Sequence, residues 1–190
     1  MTERPEPSPV QRYMRSAGQA LLAQPRWLAW LAPLAWAAML FLLSTFSGPV
    51  DDRPVFPLQG FIWNFAHPVL FGLLALLVIP VAPRRALGQH QWTAMTGIGA
   101  LWTVLLVTLY GFTDELHQST VPGRDASLLD VCSDGVGAAA VVAVVLYLGR
   151  PDANSRGLRI RFLGGLGACV AVAGLATGWD VLHGEGLWPF

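Results

Sequence analysis

Five long apolar runs, separated by short polar stretches, set the pattern of this chain. They cover about Trp27–Phe46, Phe61–Val81, Trp92–Phe112, Leu128–Leu148 and Ile160–Leu182. About 20 apolar residues in helical form cross the roughly 30 Å hydrocarbon core of a bilayer, whereas membrane strands need only about 10 and alternate. Each run therefore predicts one transmembrane helix, and the fold class is an all-α polytopic bundle of five spans. The first run is longer than a signal-peptide core and no small-x-small cleavage site follows it, so it reads as a retained span. Pro33 near its start predicts a kink that neighbouring helices tolerate. Trp27, Trp30, Trp63, Trp92, Trp179 and Trp188 fall at or near span ends, where interfacial belts form. Gly174 and Gly178 make a GxxxG pair that predicts close helix packing in the fifth span.

The polar stretches give the organisation. Residues 1–25 are polar and proline-containing and read as a cytoplasmic segment without a core, with a short interfacial helix near 11–23. Residues 27–150 hold four spans, and 151–190 hold a loop and the fifth. All twelve basic residues are arginines. Arg4, Arg12, Arg15 and Arg26 precede the first span, Arg84 and Arg85 sit in the 82–91 loop, and Arg150, Arg156, Arg159 and Arg161 in the 149–161 loop. The alternate loops hold only Arg53 and Arg124. This alternation predicts a cytoplasmic N-terminus and an extracytoplasmic C-terminus.

Composition agrees with a membrane protein. Hydrophobic residues make up 54%, charged residues 13%, and mean hydropathy is +0.50, while soluble domains carry about 25% charged residues. Net charge is zero, which gives nucleic-acid binding no electrostatic support. Cys132 and Cys169 both fall inside apolar runs and read as small core residues rather than a disulfide framework.

One stretch breaks the apolar pattern. Between Tyr110 and Gly137 lie Asp114, Glu115, His117, Gln118, Arg124, Asp125, Asp130 and Asp134. A charge at the centre of a bilayer costs about 2.5–3.5 kcal/mol on insertion scales, so polar residues where two spans meet are a functional-site hypothesis by default. With antiparallel spans, the end of the third, the start of the fourth and the start of the second lie in one leaflet. The second brings Asn64 and His67. Asp114 and Gln118, like Asp130 and Asp134, stand four apart and share a helix face. Pro122-Gly123 signals a turn. Ser127 and Asp130 have the spacing of a capping box, which gives Asp130 a structural role at a helix N-terminus. Arg124 is the expected partner of Glu115 or Asp130. Asp51, Asp52, Asp114, Asp125 and His117 read as solvated loop residues.

Together these positions resemble the VanZ-like family of bacterial membrane proteins, named for a glycopeptide-resistance accessory protein. The resemblance rests on His67, Glu115-Leu116-His117-Gln118, Pro122-Gly123-Arg124, Asp130, and Asp134 with Gly137, and covers about residues 30–150. Two positions depart from the family pattern: Asn64 stands where members often carry Lys, and Asp134 where they carry Asn. The resemblance implies a link to low-level teicoplanin resistance and supplies no reaction.

The expected function is an extracytoplasmic-side polar site in the bacterial cytoplasmic membrane that binds or acts on an envelope lipid or lipid-linked cell-wall precursor. Glu115, Asp134 and His67 are the candidate catalytic residues; Arg124, Gln118, Asp130 and Asn64 are candidate ligand contacts. Arginine suits bidentate recognition of phosphate or carboxylate, and the carboxylates suit acid–base work or a divalent cation. The sequence has no HExxH or EF-hand spacing for a metal. Two other classes compete: a small oligomeric transporter using intramembrane carboxylates, and a structural protein whose charges lock helices together.

Overall fold

A computed structural model describes residues 9–23, 25–46, 57–82, 95–122, 124, 126–150 and 152–183. Helix α1 (Pro9–Leu22) precedes a short α2 (Arg26–Ala29) and α3 (Leu31–Thr45); then come α4 (Pro57–Val78), α5 (Gly97–Gln118), α6 (Leu128–Leu148) and α7 (Ser155–His183). Five segments are long and apolar enough to cross a membrane: Trp27–Thr45, Pro57–Val81, Gly97–Gln118, Leu128–Leu148 and Ser155–Leu182. The chain is a multi-pass, all-helical membrane protein.

Two helix boundaries differ from the sequence expectation in ways that place charged residues. Helix α5 runs six residues past Phe112, through Asp114 to Gln118, so the acidic stretch is helical and not a loop. Helix α7 starts at Ser155 rather than near residue 160, placing Arg156, Arg159 and Arg161 in its first two turns. The segment expected to hold a short helix does form one, α1. Arg53, Arg84, Arg85, Asp51, Asp52, Gly123 and Asp125 lie outside the described residues, as do Trp92 and Trp188.

Helix α6 is the centre of the bundle. It packs on α4, α5 and α7, and α3 closes the far side against α4 and α5. Leu40, Phe71, Leu74, Ala75, Val78, Val107 and Ala138 form the buried middle layer, whereas Leu34, Leu42, Leu105, Leu109, Leu163, Leu166 and Leu175 stand on the outer surface. Exposed apolar area on this scale has bilayer as its solvent. Two bonds between side chain and backbone fix α3: Trp36 Nε1–H donates to Leu70 O at 3.0 Å, and the Tyr110 hydroxyl to Ala37 O at 2.5 Å.

The α4–α6 crossing is close because Gly137 has no side chain. A Cβ there would collide with the backbone carbonyl of Pro68, and one on Gly72 would press on the Gly137 carbonyl. Backbone contact at this height puts His67, one residue before Pro68, directly against the start of α6. Among the described residues, Gly174 and Gly178 meet no other helix: nothing lies within 4 Å of their faces, and both are exposed. The α6–α7 contact runs instead through residues such as Gly165, where a Cβ would meet Ala140. Cys169 is buried as expected, but Cys132 is exposed on α6 and both are free thiols.

Candidate functional site

The polar residues do converge at one end of the bundle. His67 from the second turn of the α4 apolar run, Glu115 from the end of α5, and Asp130 and Asp134 from the start of α6 meet there. His67 Nδ1 lies 3.2 Å from Asp134 Oδ1, and its Nε2 lies 3.9 Å from Asp130 Oδ2. The first is a hydrogen bond; the second is longer than one. The ring is stacked on Phe71, with centroids 6.1 Å apart, and Phe71 in turn leans on Tyr110. One imidazole therefore faces a carboxylate from each of its nitrogens, held by an aromatic wall.

Asp134 is fully buried, at 0% exposure. Its other oxygen, Oδ2, lies against Gly111 and has no hydrogen-bond partner among the described residues. A Cβ on Gly111 would collide with that carboxylate, so the glycine on α5 makes the space that the aspartate on α6 occupies. Glu115 is 4% exposed, and its Oε2 accepts from the Ser127 backbone N–H at 2.7 Å. Its Oε1 is partnerless, as are Asp130 Oδ1, Asp114 Oδ1 and Ser133 Oγ.

That bond from Ser127 corrects the capping-box expectation. The Asp130 carboxylate does not cap the N-terminus of α6, and Ser127 makes no side-chain cap either. Glu115 reaches across from α5 and accepts the N–H that a capping-box side chain in the same helix ordinarily takes. Asp130 is thereby released to face His67.

Arg124 is the second correction. Its Nε and Nη2 donate to Phe46 O at 3.3 and 3.2 Å, and Nη2 also to Leu43 O at 3.2 Å. The guanidinium therefore caps the C-terminal end of α3, where free carbonyls and the helix dipole favour a cation. Among the described residues it forms no ion pair with Glu115 or Asp130. His117 likewise ties α5 to the end of α3, with Nε2 3.1 Å from Thr45 Oγ1 and the ring stacked on Phe41 at 4.4 Å. Neither Asp114 nor His117 is a solvated loop residue. Asp114 is buried on α5 and accepts from Gln118 Nε2 at 2.8 Å, which uses Gln118 within its own helix.

Asn64 also turns away from the cluster. Its Nδ2 donates to Thr177 Oγ1 at 3.1 Å and to Asp180 Oδ2 at 3.0 Å, both on α7. The sequence reading left out Thr177 and Asp180. The signal was present, since Asp180 is the only carboxylate in the fifth apolar run and ends up at the same end of the bundle as the others.

The VanZ/LLP1 family profile matches residues 6–149. The chain belongs to the VanZ/LLP1 family. The match takes in α1 as well as the four spans that carry the site, and it ends at the last turn of α6. The fifth span, with its Asn64 contacts, lies beyond the VanZ/LLP1 region. No curated protein and no solved structure matches the chain.

Within the VanZ/LLP1 region, the chemistry available is that of an acceptor-rich cluster. His67, Glu115 and Asp130 each offer a ligand atom, and these atoms lie within 4.8 Å of one another. Among the described residues no arginine forms an ion pair with Glu115, Asp130 or Asp134. Such a group can hold a proton or a cation, or it can accept hydrogen bonds from a head group rich in O–H and N–H donors.

Proposed function

We propose that this VanZ/LLP1 protein receives the head group of an envelope lipid, or of a lipid-linked cell-wall precursor, at the polar end of its bundle. The observation that carries the reading is the set of partnerless carboxylate oxygens on Glu115, Asp130 and Asp134, gathered from two spans around a histidine from a third. A buried acceptor left without a donor costs about 1–3 kcal/mol, more when charged. A purely structural lock would have these oxygens paired. Arg124 does serve as a lock, but for the end of α3 and not for the carboxylates, which weakens the ion-pair account of the cluster.

Arginine placement supports an extracytoplasmic position for this end. A cysteine at Thr120, exposed just after α5, should react with an impermeant thiol reagent in whole cells, and one at Asp152 should be protected. The reverse pattern removes the outer-leaflet assignment.

The function is tested by comparing lipids and cell-wall precursors in cells that lack the protein, make it, or make Asp130→Asn at matched levels. The expected result is a change in one lipid-linked pool, with a parallel change in glycopeptide susceptibility, that Asp130→Asn does not restore. Full restoration by Asp130→Asn would leave the cluster with no part in the function.

A further inference from the structure

We infer that His67, Glu115 and Asp130 form a binding site for one divalent transition cation, and that Asp134 orients His67 within it. The convergence of three ligand atoms within 4.8 Å is the first observation. Ligand bonds of about 2.0–2.2 Å to imidazole nitrogen and carboxylate oxygen close that spacing with small side-chain movements. His67 Nε2 and Asp130 Oδ2, 3.9 Å apart, are too far apart to bond each other and suitably spaced to share an ion.

The second observation is independent of the cluster's composition. Glu115 is 4% exposed and spends one oxygen on the Ser127 N–H, while Oε1 has no partner; Asp130 Oδ1 has none either. The Ser127 bond holds the glutamate in place without occupying its second oxygen. An ion between these side chains would supply what the oxygens lack.

The third is the far side of the ring. A ligating histidine nearly always donates its other N–H to a carboxylate or carbonyl, which fixes the tautomer and turns the free lone pair to the metal. Here Asp134 Oδ1 lies 3.2 Å from Nδ1, leaving Nε2 as the ligand atom on the side of Asp130. Asp134 is itself held against Gly111. The ring is thus held between the Asp134 carboxylate and the aromatic wall of Phe71.

One imidazole with two carboxylates selects among cations. Imidazole suits Zn, Cu, Fe and Ni, carboxylates suit Mg, Ca and Mn, and the mixed set favours Zn²⁺ or Mn²⁺ over Ca²⁺ or Mg²⁺. The ion also resolves a difficulty in the proposed function, on which this last step rests. Three carboxylates that no arginine pairs with among the described residues repel a phosphate, but a divalent cation among them would present a positive, open coordination position to a lipid phosphate.

The test uses full-length protein in nanodiscs of uncharged lipid. Titration with Mn²⁺, followed by electron paramagnetic resonance, should show one saturable site per chain, and Zn²⁺ should displace the Mn²⁺. Asp130→Asn, which removes no backbone cap, should abolish the site, and His67→Ala should do the same. Asp134→Asn should weaken it by about 10–100-fold, the usual effect of losing an outer-shell partner, and Asp152→Asn at the far end should leave it unchanged. Circular dichroism verifies that each variant is helical. The melting temperature should rise with Zn²⁺ in the wild type and not in Asp130→Asn. No saturable binding by the wild type, or equal binding by Asp130→Asn, overturns the site. A second arm adds a polyprenyl phosphate: retention lost on chelation supports the bridge, while retention indifferent to chelation removes the bridge and leaves the cation site to stand on the titration.

Discussion

The two ends of the bundle treat charge in opposite ways. At the α6–α7 turn Arg150, Asp152 and Arg161 each have a partner and a view of solvent. Arg150 forms a forked pair with Asp152 at 3.0 Å on both arms, and Arg161 lies 3.8 Å over the Tyr147 ring while donating to Gly157 O. The Tyr147 hydroxyl accepts from Asn154 N at 3.0 Å and has room because residue 157 is glycine. At the other end, four acidic side chains enter the protein interior, and Asp114, Glu115, Asp130 and Asp134 each keep an oxygen without a donor. The first end has its charges paired, and the second holds buried carboxylate oxygens that find no donor among the described residues. A sequence reading that counts charges alone would rank them as equals.

The largest effect expected from breaking this asymmetry lies at the α4–α6 crossing that sets up the second end. Gly137→Val drives a side chain into the Pro68 backbone, and no rotamer relieves a collision with a carbonyl. Overpacking typically costs about 1–3 kcal/mol and sometimes more. Most of the protein should be lost from the folded fraction, measured as monodisperse material after detergent extraction. Wild-type yield and melting temperature for this variant would mean that the close crossing does not hold His67 to α6.

Glu115 separates structure from function within one side chain. Glu115→Gln retains an oxygen that accepts from Ser127 N–H, so stability should change little. Glu115→Ala removes the cap and should cost about 0.5–2 kcal/mol, the range for lost N-caps. Both should lose the lipid or precursor phenotype, because both lose the carboxylate. If Glu115→Gln keeps the phenotype and Glu115→Ala loses it together with stability, Glu115 is a cap and nothing more.

Most of this fold was legible in the apolar runs, since their lengths set five spans and one helix assignment each. The ends were less so. Asp114 and His117 look like solvated residues because they are polar and follow the apolar run, yet they continue α5, and only the bundle shows that Asp114 is buried. His67 and Asp134 were readable as members of one cluster because antiparallel spans force their heights to match. Which carboxylate faces His67 and which caps α6 was not readable. That choice depends on Glu115 reaching Ser127 twelve residues away, a contact that spacing rules within one helix cannot supply. Arg124 misled for a related reason: its charge suggested a carboxylate, while its nearest acceptors are the carbonyls that end α3.

A smaller effect tests how far the fifth span belongs to the site. Asn64→Ala removes the donor shared by Thr177 and Asp180. Asp180 is exposed and can turn to solvent, so the cost should be near the about 1 kcal/mol of an ordinary hydrogen bond. Hydrogen exchange should quicken in the last turns of α7 and stay unchanged in α5. Unchanged exchange in α7 would show that α7 is held by its packing on α4 and α6 without this bond.

The smallest effect is expected at the finished end, and it is the control for the whole contrast. Asp152 and Arg150 are exposed, and the forked bond from Arg150 holds the Asp152 carboxyl below its usual range. A carboxyl depressed in the folded state contributes stability above its unfolded pKa and loses it as pH falls through the folded value. The sign is therefore clear: any contribution is present at neutral pH and vanishes in acid. Its size is another matter, because exposed pairs are screened by water and salt and often contribute nothing measurable. Asp152→Asn should leave the neutral-pH melting temperature unchanged within error and leave the acid limb of the stability profile where it was. It should also leave lipid and cation binding intact, which Asp130→Asn should not. The two substitutions make the same chemical change, carboxylate to amide, near the two ends of a single helix. Equal consequences for the two would mean that partnerless oxygens at one end carry no more weight than paired ones at the other.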